Sequence, residues 1–269
     1  MKKKEVIILK LGGSIITEKH RSQPAIRRAH IRRIASILKD SYDPKKHSLL
    51  LIHGVGSFGH LHAHRHNLAE GTKDHPEKTL RAIENQSLDA HLNAALTSLF
   101  VEIGLPVVGL PTRTIAINSA GKLSSLETTS IQAALSVGAI PLLHGDMVFD
   151  TAWGLSVCSG DVLVPKLAEI FSAASVFFAS DVNGIFTKDP HEYTDAILIE
   201  RTTLKEIKDG TILIGTSHNI DVTGGLSKKF SLFKEKSSLQ SIYLFNGLTA
   251  KNFSFVFDQT SFFGTTIKV

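Results

Sequence analysis

Three apolar runs in this chain each stop at a glycine turn. Val6–Leu11 leads into Gly12-Gly13-Ser14, Ser48–Ile52 into His53-Gly54-Val55-Gly56-Ser57, and Ala139–Leu143 into His144-Gly145-Asp146. Short continuous apolar runs read as strands buried on both faces, and such strands need helices packed above and below them. The intervening stretches supply those helices. Over residues 24–40, Ile26, Ile31, Ile34, Ile37 and Leu38 fall on one face, with Arg27, Arg28, Arg32 and Arg33 mostly elsewhere. Residues 78–103 read as a long helix, residues 226–240 as another, and a further helix opens at Ser159-Gly160-Asp161. Pro165 is tolerable there because it lies in or just past the first turn. Additional strands are expected over 106–110, 175–179, 241–245, 253–257 and 265–269, with a hairpin over 147–158 turning near Trp153-Gly154. The alternation predicts an α/β fold with a mostly parallel central sheet covered by helices on both faces, and the length suits one large domain or two small lobes.

Composition narrows the function. One cysteine, Cys158, excludes an internal disulfide framework and a cysteine-based zinc cage. The apolar runs are far shorter than the ~20 residues a membrane span needs, and Val6–Leu9 is too short for a signal peptide. A soluble cytoplasmic protein with no membrane partner is the expectation. The net charge is +5, but residues 1–46 carry 13 Lys/Arg against four Asp/Glu, so the rest of the chain is net acidic. No nucleic-acid-binding motif accompanies that basic segment, and no nucleic-acid partner is expected. A solvated basic helix and a local anion site account for the charge better.

The glycine turns carry the chemistry. In a parallel sheet they fall at the carboxyl edge, where ligands bind and where backbone N–H groups and helix N-termini favour anions. Neither a P-loop nor a dinucleotide fingerprint is present, although Gly54, Gly56 and Gly59 fit G-x-G-x-x-G spacing. Lys10 ends the first core strand, Lys19 follows past a turn, and Lys228 and Lys229 follow Asp221-Val222-Thr223-Gly224-Gly225 at a helix start. Lysines so placed suit transfer of a phosphoryl group between two anions, where repulsion has to be offset. Asp146, Asp161, Asp181 and Asp221 are candidates to orient those lysines or to hold Mg²⁺ through water, and no direct metal ligand is assigned. His53, His60, His62, His64 and His66 crowd into fourteen residues, but without an H-E-x-x-H pattern. Only His60, directly after the glycine loop, is singled out, as a hydrogen-bond donor to a bound anion. Cys158 reads as a buried structural thiol, and Ser14 and Ser57 lie in no nucleophile elbow.

These blocks, taken in order, resemble the amino acid kinase superfamily. They are Lys10-Leu11-Gly12-Gly13-Ser14 with Thr17 and Lys19, Gly54-Val55-Gly56-Ser57-Phe58-Gly59-His60, His144-Gly145-Asp146, Ser159-Gly160-Asp161, Asp181-Val182-Asn183-Gly184, Asp221-Val222-Thr223-Gly224-Gly225 with Lys229, and Gly264-Thr265-Thr266. Gly-Ser-Phe-Gly-His narrows the resemblance to the isopentenyl phosphate kinase and fosfomycin kinase branch. It implies a three-layer αβα sandwich forming a single domain over 1–269, and a homodimer, in which roughly residues 1–150 bind the phosphate acceptor and roughly 151–269 bind ATP with Mg²⁺. It further implies that Lys10, Gly12, Gly13, Ser14, Gly56, Asp181, Gly184, Lys188, Gly225 and Lys229 serve ATP. Val55, Gly56, His60 and Gly160 would surround the acceptor, Lys19 would assist the transferring phosphoryl, and Asp161 would organise the lysines. Val55 stands where glycine or alanine is common, and Asn183 where aspartate is usual.

The expected reaction is ATP-dependent phosphorylation of isopentenyl phosphate, a small phosphorylated isoprenoid, with a fosfomycin-type or other small phosphonate as the alternative acceptor. A non-catalytic nucleotide- or nucleic-acid-binding regulator is the distant alternative. An acceptor phosphate with a second pKa of about 6 is already ionised near neutrality, so no general base is needed. An isoprenoid acceptor further predicts an apolar tail pocket lined by Leu80, Ile83, Leu88 and Leu92 of the long helix.

Overall fold

The computed structural model describes residues 4–18, 23–190, 192–211, 229–235, 238–258 and 262–269. An eight-stranded sheet runs through the molecule in the order Arg201–Thr203, Thr265–Lys268, Ser241–Asn246, Ser175–Ser180, Glu5–Leu11, His47–His53, Ile140–His144, Val107–Gly109. All neighbours are parallel except Ser241–Asn246 with Thr265–Lys268. Glu5–Leu11 sits near the middle, with the strands of this sheet that follow it up to His144 on one side and those from Ser175 onward on the other. The carboxyl end of that strand is therefore the crevice where an open α/β sheet binds ligands.

Two-residue alternation sorts the first strand between two cores. Ile7, Leu9 and Leu11 face one side, packing with Leu49, Leu51, Phe177 and the helices Arg28–Ser41 and Pro76–Glu102. Ile8 faces the other, with Leu50, Ile52, Val176 and the helix Gly160–Ile170. Lys10 follows Ile8 on that second face, which aims a buried-strand lysine at the start of Gly160–Ile170.

A second sheet of four strands, in the order Gly154–Cys158, Asp146–Asp150, Ala116–Ser119, Lys122–Leu126, packs beside the first. The expected hairpin is its first pair, turning at Trp153 and Gly154 (φ +78°). Asp150 ties the sheet together by accepting from the N–H groups of Ala120, Gly121, Ala152 and Trp153 and from Ser156 Oγ. Burial pushes the Asp150 carboxyl up, but these donors outweigh it and hold it down at about 2.

Three expected elements differ. Phe253–Phe257 is not a strand but lies mostly in a 3₁₀ helix, Ala250–Val256. A short apolar run has no decisive period, and here Phe253, Phe255 and Val256 are all buried, with Phe253 edge-on to Phe245 at 5.2 Å. The first long helix begins at Arg28 because Ala25–Ile26 pairs with Thr17–Glu18. Of residues 226–240, only 229–231 are helical among those described.

Candidate active site

Two glycine turns meet at the carboxyl ends of the central strands. Gly12 N–H donates to Ala179 O (2.9 Å) and Gly54 N–H to Leu11 O (2.9 Å), so each turn is stitched to the neighbouring strand. A Cβ on Gly13 would lie 2.5 Å from Gly56 Cα. Gly56 itself has φ +51°, and a Cβ there would collide with Thr17 Oγ1. Thr17 closes the arrangement: its hydroxyl donates to Gly13 O (2.8 Å) and accepts from Ser57 N–H (3.1 Å). The helices Gly13–Ile16 and Gly56–Arg65 both start at this crossing; neither N-cap residue offers a side-chain cap, and in the second helix the Thr17 hydroxyl takes the Ser57 N–H instead. The N–H groups of Gly13, Ser14 and Gly56 at these starts are the donors a phosphate accepts, since those of Ser57 and Phe58 are taken by Thr17 Oγ1 and Val55 O.

Opposite them stands a three-residue charge cluster. Asp161, in the first turn of Gly160–Ile170, pairs through Oδ1 with Lys10 Nζ and through Oδ2 with Lys229 Nζ at 3.3 Å. Ser159 caps that helix by accepting the Asp161 N–H (3.2 Å). One carboxylate thus fixes two ammonium groups that would otherwise repel, and the trio keeps a net positive charge. Lys10 Nζ also lies 5.8 Å from the Phe178 ring centre. Gly160 lets this cluster close on the sheet, since its Cβ position is 3.2 Å from Ile52 Cγ2 and 3.6 Å from Lys10 Cε.

Farther along the sheet edge lie Asp181, Asn183 and Gly184. Ser180 Oγ donates to Asp181 Oδ1 (3.3 Å), and Asn246 Nδ2 donates to Asn183 Oδ1 (3.2 Å). A side chain at Gly184 would collide with Thr265, whose hydroxyl accepts the Ile185 N–H. Lys188 is exposed and paired with Asp195.

On the other flank, His60 is exposed on Gly56–Arg65 and Val55 is buried against Gly59. Beneath them the protein is polar. His53 and His144 stack 5.2 Å apart, fully buried. Asn93 Nδ2 donates to His53 Nε2 and His53 Nδ1 donates to Gly54 O, an arrangement that needs a neutral ring. Burial, with His144 beside it, pushes the His53 pKa down to about 3. Asp146 pairs with Arg113 (3.0 Å) rather than with any lysine, which corrects its expected role as a lysine-orienting group. Burial raises its pKa, and raises that of Asp89 well above the carboxylate range with help from the Asp146 charge.

Comparison with known proteins identifies the frame. The model of the Amino acid kinase family matches residues 5–233. The chain belongs to the amino acid kinase family. Within that family it is 33% identical over 229 residues to the isopentenyl phosphate kinase of Methanothermobacter thermautotrophicus, covering 83% of this chain and 84% of that protein. It is 30% identical over 265 residues to that of Thermoplasma acidophilum, covering 98% and 100%. A crystal structure of isopentenyl phosphate kinase superposes with a TM-score of 0.80 at 25% identity, again over 98% and 100%.

The amino acid kinase fold brings Lys10, Gly12, Gly13, Ser14, Val55, Gly56, His60, Gly160, Asp161 and Lys229 to one sheet edge. Lys19, Asp221, Gly225 and Lys228 lie outside the described residues. The expected apolar tail pocket is not formed as read. Leu80 and Ile83 are exposed and Leu92 is in the main core, while the helix face toward the loop presents Asn85, Gln86, Asp89 and Asn93. That stripe has four-residue spacing (85, 89, 93), which from sequence reads as a solvated face. His30 and His47 are half-buried, His30 against Gly247 O (2.8 Å). Among the described residues, no group of three or more His, Cys, Asp or Glu could hold a metal ion. No described helix is long and apolar enough to cross a membrane.

Proposed function

We propose that this amino acid kinase transfers the γ-phosphoryl group of ATP to the phosphate of isopentenyl phosphate, giving isopentenyl diphosphate and ADP. The observation that carries the reading is Asp161 bridging Lys10 and Lys229 at the sheet edge where the glycine turns of Gly12–Ser14 and Gly54–Gly56 meet. Two sets of anion-binding groups face one another, as an attacking phosphate and a departing diphosphate require. The acceptor is its own nucleophile, because its oxygens are already ionised. The protein supplies position and charge: Lys10 and Lys229 take up negative charge spreading onto the transferred group, and the loop N–H groups and His60 hold the acceptor in line. Lys19 and Gly225 join them on the reading from sequence.

The glycine-turn N–H groups and the lysine pair fit a polyphosphate. Both Asp161 oxygens are engaged by lysines, and Mg²⁺ is assigned to the MgATP substrate. Asp181, Gly184 and Lys188 are assigned to the nucleotide, with the acceptor lobe ending near residue 150. The relatives named isopentenyl phosphate kinase support this acceptor. The bulk of Val55 against the loop favours, as a second reading, a compact phosphonate acceptor. ADP release measured with isopentenyl phosphate and with fosfomycin in parallel separates the two; no release above background ATP hydrolysis with either removes both. A cytoplasmic homodimer completes the proposal, and light scattering coupled to gel filtration tests the dimer.

A further inference from the structure

Four buried polar atoms without a hydrogen-bond partner gather at one place, between the acceptor loop and the long helix: Asn85 Oδ1, Asp89 Oδ1, His144 Nε2 and Asp146 Oδ1. Their residues are between 0% and 3% exposed. Each has its other polar atom engaged. Asn85 Nδ2 donates to Asp89 Oδ2 (2.8 Å), His144 Nδ1 donates to Gly145 O (2.8 Å), and Asp146 Oδ2 takes Arg113. The His144 bond leaves Nε2 as an acceptor, and Asp89, held protonated by burial beside the Asp146 charge, adds one O–H donor, so the cluster offers a mixed set of a donor and acceptors. Leaving such groups unpaired in the interior costs about 1–3 kcal/mol apiece, which makes a shared purpose the economical explanation.

The position of the cluster names the purpose. Asp89 Oδ1 rests against Gly59, one residue before His60, where any Cβ would collide with it. Asp146 follows Gly145, whose N–H donates to His53 O and whose Cβ position is 3.2 Å from Gly160 N. The cluster is therefore flanked by His60 on one side and Gly160 on the other, the two residues assigned to the acceptor. An acceptor whose phosphate sits on the loop has its carbon skeleton beside Asn85, Asp89, His144 and Asp146.

We propose that this cluster is a polar subsite for a hydroxyl group on the acceptor, so that the enzyme takes hydroxylated short-chain alkyl monophosphates in preference to their plain alkyl counterparts. A hydroxyl both gives and accepts, which matches orphan acceptors beside a carboxyl. An ammonium group is disfavoured because Arg113 already neutralises Asp146. The inference rests on the reading of the Gly54–His60 loop as the acceptor-phosphate site, and concerns what lies beyond that phosphate.

The test uses 3-hydroxybutyl, 4-hydroxybutyl and butyl phosphate with MgATP, and isopentenyl phosphate as reference. At least one hydroxylated acceptor is expected to show a KM about tenfold below that of butyl phosphate, the worth of one hydrogen bond. Asp89→Leu is expected to abolish or reverse that ratio, whereas a merely structural role would lower activity on all acceptors alike. Equal or higher KM for both hydroxylated compounds in the wild-type enzyme overturns the subsite, with no variant needed. Turnover of isopentenyl phosphate in the same experiment keeps the kinase reading standing in that case. Failure of all four acceptors removes the kinase reading and the subsite with it.

Discussion

Lys10 and Asp161 are 151 positions apart and form an ion pair at the carboxyl edge of the sheet. The pairing follows from strand alternation. Lys10 shares a face with Ile8, and the helix that covers that face begins with Gly160 and Asp161. Asp161 then reaches Lys229 with its second oxygen.

Replacing Asp161 with Asn keeps the shape but leaves two ammonium groups facing each other. The account expects kcat to fall by about 10²-fold or more, the scale of losing one preorganised charge interaction at a transition state. Steady-state ADP release measures it, with circular dichroism to show that the fold persists. A change of less than about threefold would place the cluster outside the chemistry.

His60→Ala should separate the two substrates. With a charge-assisted bond to the acceptor worth about 1.5–3 kcal/mol, acceptor KM is expected to rise at least tenfold while ATP affinity holds. Titration of ATP binding in parallel with acceptor kinetics reads both; an equal loss for both ligands contradicts the assignment.

Gly56→Ala tests the loop crossing. A positive φ and a collision with Thr17 Oγ1 act together, so a loss of about 2 kcal/mol or more is expected by urea denaturation. Activity should fall with it, because the Ser57 N–H is positioned by the same threonine. Thr17→Ser, which keeps the hydroxyl, should be far milder.

Asp150 predicts a pH dependence. Its folded pKa of about 2 lies below the ordinary 3.8, so its contribution to stability is complete above about pH 4 and fades as pH falls toward 2. Asp150→Ala is therefore expected to be markedly less stable than the wild type at pH 7, with the gap narrowing between pH 4 and 2. A gap that does not change with pH would show that the carboxylate charge is irrelevant to the sheet.

The parts of this molecule visible in sequence are those whose signal is local. The strand ends at Leu11, Ile52 and Leu143 are marked by glycines, and Lys10 is conspicuous because a charge interrupts an apolar run. The ion-pair cluster is legible because Gly160-Asp161 reads as a helix start and Lys229 follows the glycine pair Gly224-Gly225 in the sequence. Asn85, Asp89 and Arg113 were not legible. Polar residues four apart on a long helix have the same pattern whether that face meets water or a buried subsite, and only the packing of Gly59 against Asp89 distinguishes them. The run 253–257 misled for a related reason, since five residues are too few to tell a two-residue period from a three-residue one.

The most direct measurement is ³¹P NMR of a reaction containing enzyme, MgATP and isopentenyl phosphate. The account predicts that the acceptor's single phosphomonoester resonance is replaced by the coupled pair of a diphosphate, in step with conversion of ATP to ADP. An unchanged acceptor resonance, with ATP untouched or its γ-phosphate released only as inorganic phosphate, would contradict it.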